Sequence, residues 1–127
     1  MNILVIDDDK FITQAINESL TSSGYVVTVV NKSSKIMSEI NKINEYDCVL
    51  MDLMMRCPPE VQRAPREETG EALYKEIKKK NKKIPIVIMT GKDLSDIKTN
   101  FSSMGTKVLL KPFHSKLEEI YEAIKSV

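Results

Sequence analysis

The chain has 127 residues, a length that fills one hydrophobic core and leaves little for a second. Its 19 basic and 18 acidic residues leave a formal charge of +1, a balance that argues against nonspecific binding to nucleic acid or to a membrane surface as the main activity. No apolar run approaches the ~18 residues needed to span a bilayer, and Met1 leads into an apolar run without a basic leader, so a cytoplasmic protein is expected.

Apolar runs rich in Val and Ile alternate with amphipathic stretches, the pattern of buried parallel strands between helices. Ile3–Ile6 is the first strand, and Phe11, Ile12, Ala15, Ile16 and Leu20 then recur at helical spacing up to Gly24. Tyr25–Val30 is β-branched and reads as a second strand. Ser33 or Ser34 is expected to cap a helix whose inner face is Ile36, Met37, Ile40 and Ile43. Cys48–Met51 is the third strand, and its helix is delayed: Leu73, Tyr74 and Ile77 follow only after Gly70, with Pro58, Pro59 and Pro65 excluding regular helix in between. Ile84–Met89 is the fourth strand. Asp93 is expected to cap a helix bearing Leu94, Ile97, Phe101 and Met104 and ending at Gly105. Lys107–Leu110 is a short fifth strand, and Leu117, Ile120, Tyr121 and Ile124 stripe a last helix. Five β-α units follow, with no linker or internal repeat. Cys48 in an apolar run and Cys57 in a Pro-rich stretch read as a core thiol and a loop thiol in a reducing compartment, with neither a disulfide nor a zinc spacing.

Parallel strands all point one way, so the residues at their carboxyl ends converge on one crevice, where open α/β sheets bind ligands. Asp7-Asp8-Asp9, Asp52, Thr90 and Lys111 each close an apolar run and therefore meet there. Crowded carboxylates repel unless a cation sits among them, and hard oxygens without His or thiolate favour Mg²⁺ or Mn²⁺. Lys111 supplies a positive charge and Thr90 a hydroxyl, while Gly91 lets a ligand approach its backbone amide. Such a set can hold a phosphoryl group, and Asp52, in the middle strand, is the best-placed nucleophile for an acyl phosphate.

With VIDDD near the start, VLMDLMM centrally, IVIMTG and then LLKPF in order, the chain resembles the receiver domain of two-component response regulators over essentially all its length. The resemblance implies a single domain with the flavodoxin-like, doubly wound (βα)5 fold, a three-layer sandwich around a parallel sheet of order 2-1-3-4-5. It implies that Asp8 and Asp52 bind Mg²⁺ directly, Asp7 through water, and the backbone carbonyl of Met54 as a further ligand. Asp52 would take phosphate from a histidine kinase, a histidine phosphotransfer protein or a small phosphodonor, with Thr90 and Lys111 on the phosphoryl group and a cis peptide at Lys111-Pro112 aiming the lysine inward. The implied molecule is a switch, catalysing only its own phosphorylation and dephosphorylation, that acts on an output protein as a monomer or weak dimer. It is either a stand-alone receiver or part of a larger regulator.

Three features depart from that family. Arg56 stands where receivers usually place Pro, and Gly70 arrives late, as if roughly ten residues had been inserted where connections commonly run ~4–6. The stretch Arg56–Thr69 holds three prolines, three arginines and three glutamates. The simpler expectation is a mobile surface insertion; the sharper one is a loop that shields the phosphoryl group or sets partner choice through Arg56, Arg63 or Arg66. Val108 replaces the family's usual aromatic, so activation would have to travel by the loop after Thr90 or by the insertion. The six lysines between Lys75 and Lys83 read as a solvated helix end complementing its dipole. His114 reads as a residue opening the last helix or touching a partner. Two other functions compete: a degenerate receiver serving as a scaffold, and a haloacid-dehalogenase-like phosphatase using Asp7-x-Asp9, although Phe11 sits where that motif wants Thr or Val and the cap insertion is missing.

Overall fold

Unbroken apolar strands need cover on both faces, and the sheet has it. The computed structural model describes residues 1–91, 101, 104, 106–110 and 117–125. Strands β1 (Asn2–Ile6), β2 (Val26–Val30), β3 (Cys48–Asp52), β4 (Ile86–Thr90) and β5 (Lys107–Leu110) form one parallel sheet in the order β2-β1-β3-β4-β5. Four helices are described: α1 (Lys10–Ser22), α2 (Ser33–Ile40), α3 (Thr69–Lys80) and α4 (Leu117–Lys125). Alternate strand residues Leu4, Ile6, Val49, Met51, Ile86 and Ile88 pack with Ile36 and Ile40 of α2 and Leu73 and Ile77 of α3. Their neighbours Ile3, Val5, Cys48, Leu50, Val87 and Met89 pack with Ile16 and Leu20 of α1 and Ile120 and Ile124 of α4. This is the expected doubly wound, three-layer fold. Truncating a fully buried residue such as Leu50 to Ala would cost ~2–5 kcal/mol.

Element boundaries differ from the sequence expectation where a backbone amide finds another partner. Tyr25 lies outside β2 because its N–H donates to Leu20 O at 3.1 Å, while Gly24 N–H donates to Thr21 O at 3.0 Å. Together they close α1 in a Schellman motif, with Gly24 at φ 93°, a conformation costly for a side chain with Cβ. Ile84 is not yet in β4, since its N–H is taken by Asn81 Oδ1 at 3.1 Å and Pro85 has no N–H to give. Neither Ser33 nor Ser34 caps α2: they are its first two residues, the boundary position falls to Lys32, and no side chain caps it. Ile43 leaves α2 for a separate 3-10 turn, Ile43–Glu45, yet is still buried. Gly70 lies inside α3, which starts one residue earlier.

The expected helix over 93–104 lies outside the described residues apart from buried Phe101 and exposed Met104. So do Asp93, Lys111, Pro112 and His114, and the side chains of Leu117 and Tyr121.

Candidate functional site

Register delivers the acids. β1 pairs with β3 as Ile6↔Met51, so Asp7 and Asp52 are the next residues along adjacent strands, and Asp52 itself pairs with Met89, one before Thr90. Asp7 is fully buried, its N–H donating to Val30 O at 3.1 Å and its Oδ1 accepting from Asp9 N–H at 2.9 Å. Asp52 is 4% exposed, and its Oδ1 accepts from Met54 N–H at 3.4 Å. Asp8 is exposed.

Of the three consecutive acids, Asp9 is the helix cap. Its Oδ1 accepts from Phe11 N–H at 3.0 Å and Ile12 N–H at 3.2 Å, satisfying two orphan donors of α1. Asp7 and Asp8 take no part in that cap. Carboxylate oxygens of Asp7, Asp8 and Asp52 all lie within 4.8 Å of one another. Two unit charges at ~5 Å repel by about 3 kcal/mol at an effective dielectric near 20, so the trio calls for a cation. An octahedral Mg²⁺ with bonds of ~2.1 Å takes oxygens roughly 3–4 Å apart, and each of the three carboxylates offers one oxygen within the 4.8 Å limit. The donor set is all hard oxygen, and fits that ion.

Thr90, the last residue of β4, is fully buried and pairs in register with Leu110. Gly91 follows it, exposed at a bend. Lys111 and Pro112 come directly after Leu110, outside the described residues.

The insertion lies largely on the surface, with residues 56, 59, 60 and 62–66 exposed, but it is anchored at both ends and at Val61. Thr69 Oγ1 donates to Met55 O at 2.6 Å and Gly70 N–H donates to Leu53 O at 2.8 Å, so its two ends are joined at the end of β3. Between them Pro58 and Val61 are buried, Val61 within the core, and Val61 N–H closes a turn on Pro58 O at 3.1 Å. A second turn runs from Ala64 to Glu67, with Pro65 and Arg66 at its corners and Arg66 at φ 66°. Glu67, 8% exposed, accepts from Ala64 N–H at 3.2 Å and pairs with Lys75 Nζ at 2.5 Å. That carboxylate, first through the hydrogen bond and then through its charge, raises the pKa of Lys75. These contacts define a compact Ω-loop with adjacent ends. Arg56, Arg63 and Arg66 are all exposed, and Arg63 also reaches Thr69 Oγ1 at 3.4 Å.

Gly70 has a role that its late position only hinted at. A Cβ there would fall 2.6 Å from Leu53 Cα and 2.8 Å from Asp52 O, so only glycine lets α3 sit against the end of β3. Two features were not legible beforehand. One is the Thr69–Met55 bond, for which a Thr-Gly pair after a long insertion was the only signal. The other is Tyr74, which read as a core residue: its hydroxyl lies 2.7 Å from Thr106 Oγ1 and its ring meets Phe101 edge-on at 5.1 Å. Val108 is half-buried against the same core face. Lysines of α3 are partly used internally, since Lys78 donates to Ile84 O at 2.6 Å and sits 5.7 Å over the Tyr74 ring.

The doubly wound parallel sheet thus carries an acidic trio at its carboxyl edge and a buried threonine on the neighbouring strand. The model of the response regulator receiver domain family matches residues 3–125, and the chain belongs to that family. Among curated proteins it is similar to the response regulator MprA of Mycobacterium leprae, 25% identical over all of this chain and 50% of that protein. It thus spans about half the length of the curated relatives it matches. Among solved structures it is similar to the receiver domain of the Francisella response regulator 1452, with 30% identity, a TM-score of 0.73, and 98% and 93% of the two chains covered. A two-component response regulator from Clostridium difficile gives 25% identity, a TM-score of 0.77, and 99% and 93% covered. No helix among the described residues is long and apolar enough to cross a membrane.

Proposed function

We propose that this receiver domain is a cytoplasmic phosphorylation switch whose acceptor is Asp52. The reading rests on the approach of the Asp7, Asp8 and Asp52 carboxylates to within 4.8 Å of one another. Asp7, Asp8, Asp52 and the Met54 backbone carbonyl would hold Mg²⁺ or Mn²⁺. A divalent ion supplies charge neutralisation between carboxylates and phosphoryl oxygens. A carboxylate oxygen of Asp52 attacks the phosphorus of a phosphohistidine on a kinase or phosphotransfer protein, or of a small phosphodonor. The new O–P bond replaces the donor's bond to phosphorus, and the donor leaves with that electron pair. Thr90, Gly91 and Lys111 would contact the phosphoryl oxygens, with Pro112 as the cis residue that the family resemblance implies. Arg56, Arg63 and Arg66 on the Ω-loop tune phosphate lifetime or partner choice. The output is a change in binding to a protein partner rather than to nucleic acid, by a monomer or weak dimer.

Engagement of Asp9 in capping α1 disfavours the phosphatase alternative, which needs that carboxylate for acid-base work. Incubation with Mg²⁺ and acetyl phosphate followed by intact mass measurement is the test: the mass rises by one phosphoryl unit, and Asp52→Asn abolishes the gain. Modification of Asp7, or no gain in the wild type, would refute the proposal.

A further inference from the structure

We infer that Thr69 is a positioning residue for the divalent-ion site, holding the Met54 carbonyl in place through its bond to the next peptide; this rests on the metal reading above. Met54 lies between two carbonyls fixed by consecutive residues of α3. Leu53 O accepts from Gly70 N–H at 2.8 Å, and Met55 O accepts from Thr69 Oγ1 at 2.6 Å. The Met54 N–H meanwhile turns back to Asp52 Oδ1 at 3.4 Å. The two peptide planes flanking the Met54–Met55 peptide are therefore restrained, one through Leu53 O and Met54 N–H and the other through Met55 O, which limits how far the Met54 carbonyl between them can turn.

Thr69 is fully buried, so its hydroxyl is shielded from water that could compete for Met55 O. Arg63 Nη1 donates to Thr69 Oγ1 at 3.4 Å, which leaves the hydroxyl proton to point at Met55 O. The bond spans 14 positions in sequence and closes the Ω-loop. One hydroxyl thus both seals the insertion and fixes the segment after Asp52. Loss of a group that orients a metal's ligand typically costs about 10–100-fold in metal affinity.

The test uses the full chain. Mg²⁺ affinity is measured by titration calorimetry and by the backbone amide shifts of Met54 and Met55, for wild type, Thr69→Val and Thr69→Ser, with urea stability measured in parallel. Thr69→Val is expected to weaken Mg²⁺ binding about tenfold, and Thr69→Ser to restore it. If Thr69→Val does not fold, Thr69→Ala takes its place in the same comparison. Wild-type affinity in the hydroxyl-less variant, or equal weakening in the serine variant, overturns the inference. Absence of Mg²⁺ binding in the wild type, or binding that survives Asp52→Asn and Asp8→Asn, would instead overturn the metal reading itself.

Discussion

Replacing Gly70 by alanine sets helix propensity against sterics, and the geometry decides the sign. In a helix, Gly→Ala stabilises by up to about 1 kcal/mol. At this position the added Cβ would lie 2.6 Å from Leu53 Cα, 2.8 Å from Asp52 O and 3.0 Å from Leu53 O, all backbone atoms. Carbon atoms prefer separations of ~3.5–4.0 Å, so the overlap approaches 1 Å and cannot be relieved by turning a side chain. Overpacking of a filled site typically costs ~1–3 kcal/mol; with rigid backbone on the far side, the upper end applies, leaving a net loss of about 2 kcal/mol. For a domain of this size that is roughly 6–10 °C in Tm. The displaced segment carries Asp52, so Mg²⁺ affinity should fall alongside. Urea unfolding monitored by circular dichroism measures the first effect, and calorimetric titration the second. A variant as stable as the wild type or more so would refute the close-approach reasoning.

Three further outcomes follow. Asp9→Ala removes the cap of α1 and should cost about 1 kcal/mol in urea unfolding while leaving Mg²⁺ affinity unchanged; lost affinity would place Asp9 among the ligands. Tyr74→Phe keeps the edge-on contact with Phe101 but strands the Thr106 hydroxyl, a loss of ~1–2 kcal/mol measurable by thermal unfolding. Burial, aided by the neighbouring Asp47 charge, pushes the Cys48 thiol from its ordinary 9.0 up to about 12. Because the folded-state value is the higher one, its contribution to stability is complete below pH 9.0 and is lost as pH rises toward about 12. Urea midpoints across that window should therefore fall more steeply for the wild type than for Cys48→Ala, and native Cys48 should resist alkylation while half-buried Cys57 reacts.

Strands were the legible part of this chain, since a strand covered on both faces must be apolar throughout, and Ile3–Ile6 or Cys48–Met51 admits no other reading. Convergence of Asp7, Asp8 and Asp52 followed from parallel pairing alone. What escaped were features set by single hydrogen bonds between distant residues. Nothing in Ser33 or Ser34 says that neither will cap α2, because both have the right side chain, and only the phase of the helix decides. Likewise the composition of Arg56–Thr69, rich in prolines and charge, reads as solvent-exposed chain. Its anchoring depends on Val61 reaching the core and on Thr69 finding Met55, pairings that periodicity does not encode.

Because the Ω-loop leaves and re-enters the domain across hydrogen bonds of 2.6 and 2.8 Å, the sheet experiences it as a short splice. Material can be added to or removed from its tip with little entropic penalty, as closure cost grows only slowly with length. The chain therefore carries, next to the Asp52 carboxylate, a natural graft point at which recognition could diversify or a reporter peptide be installed.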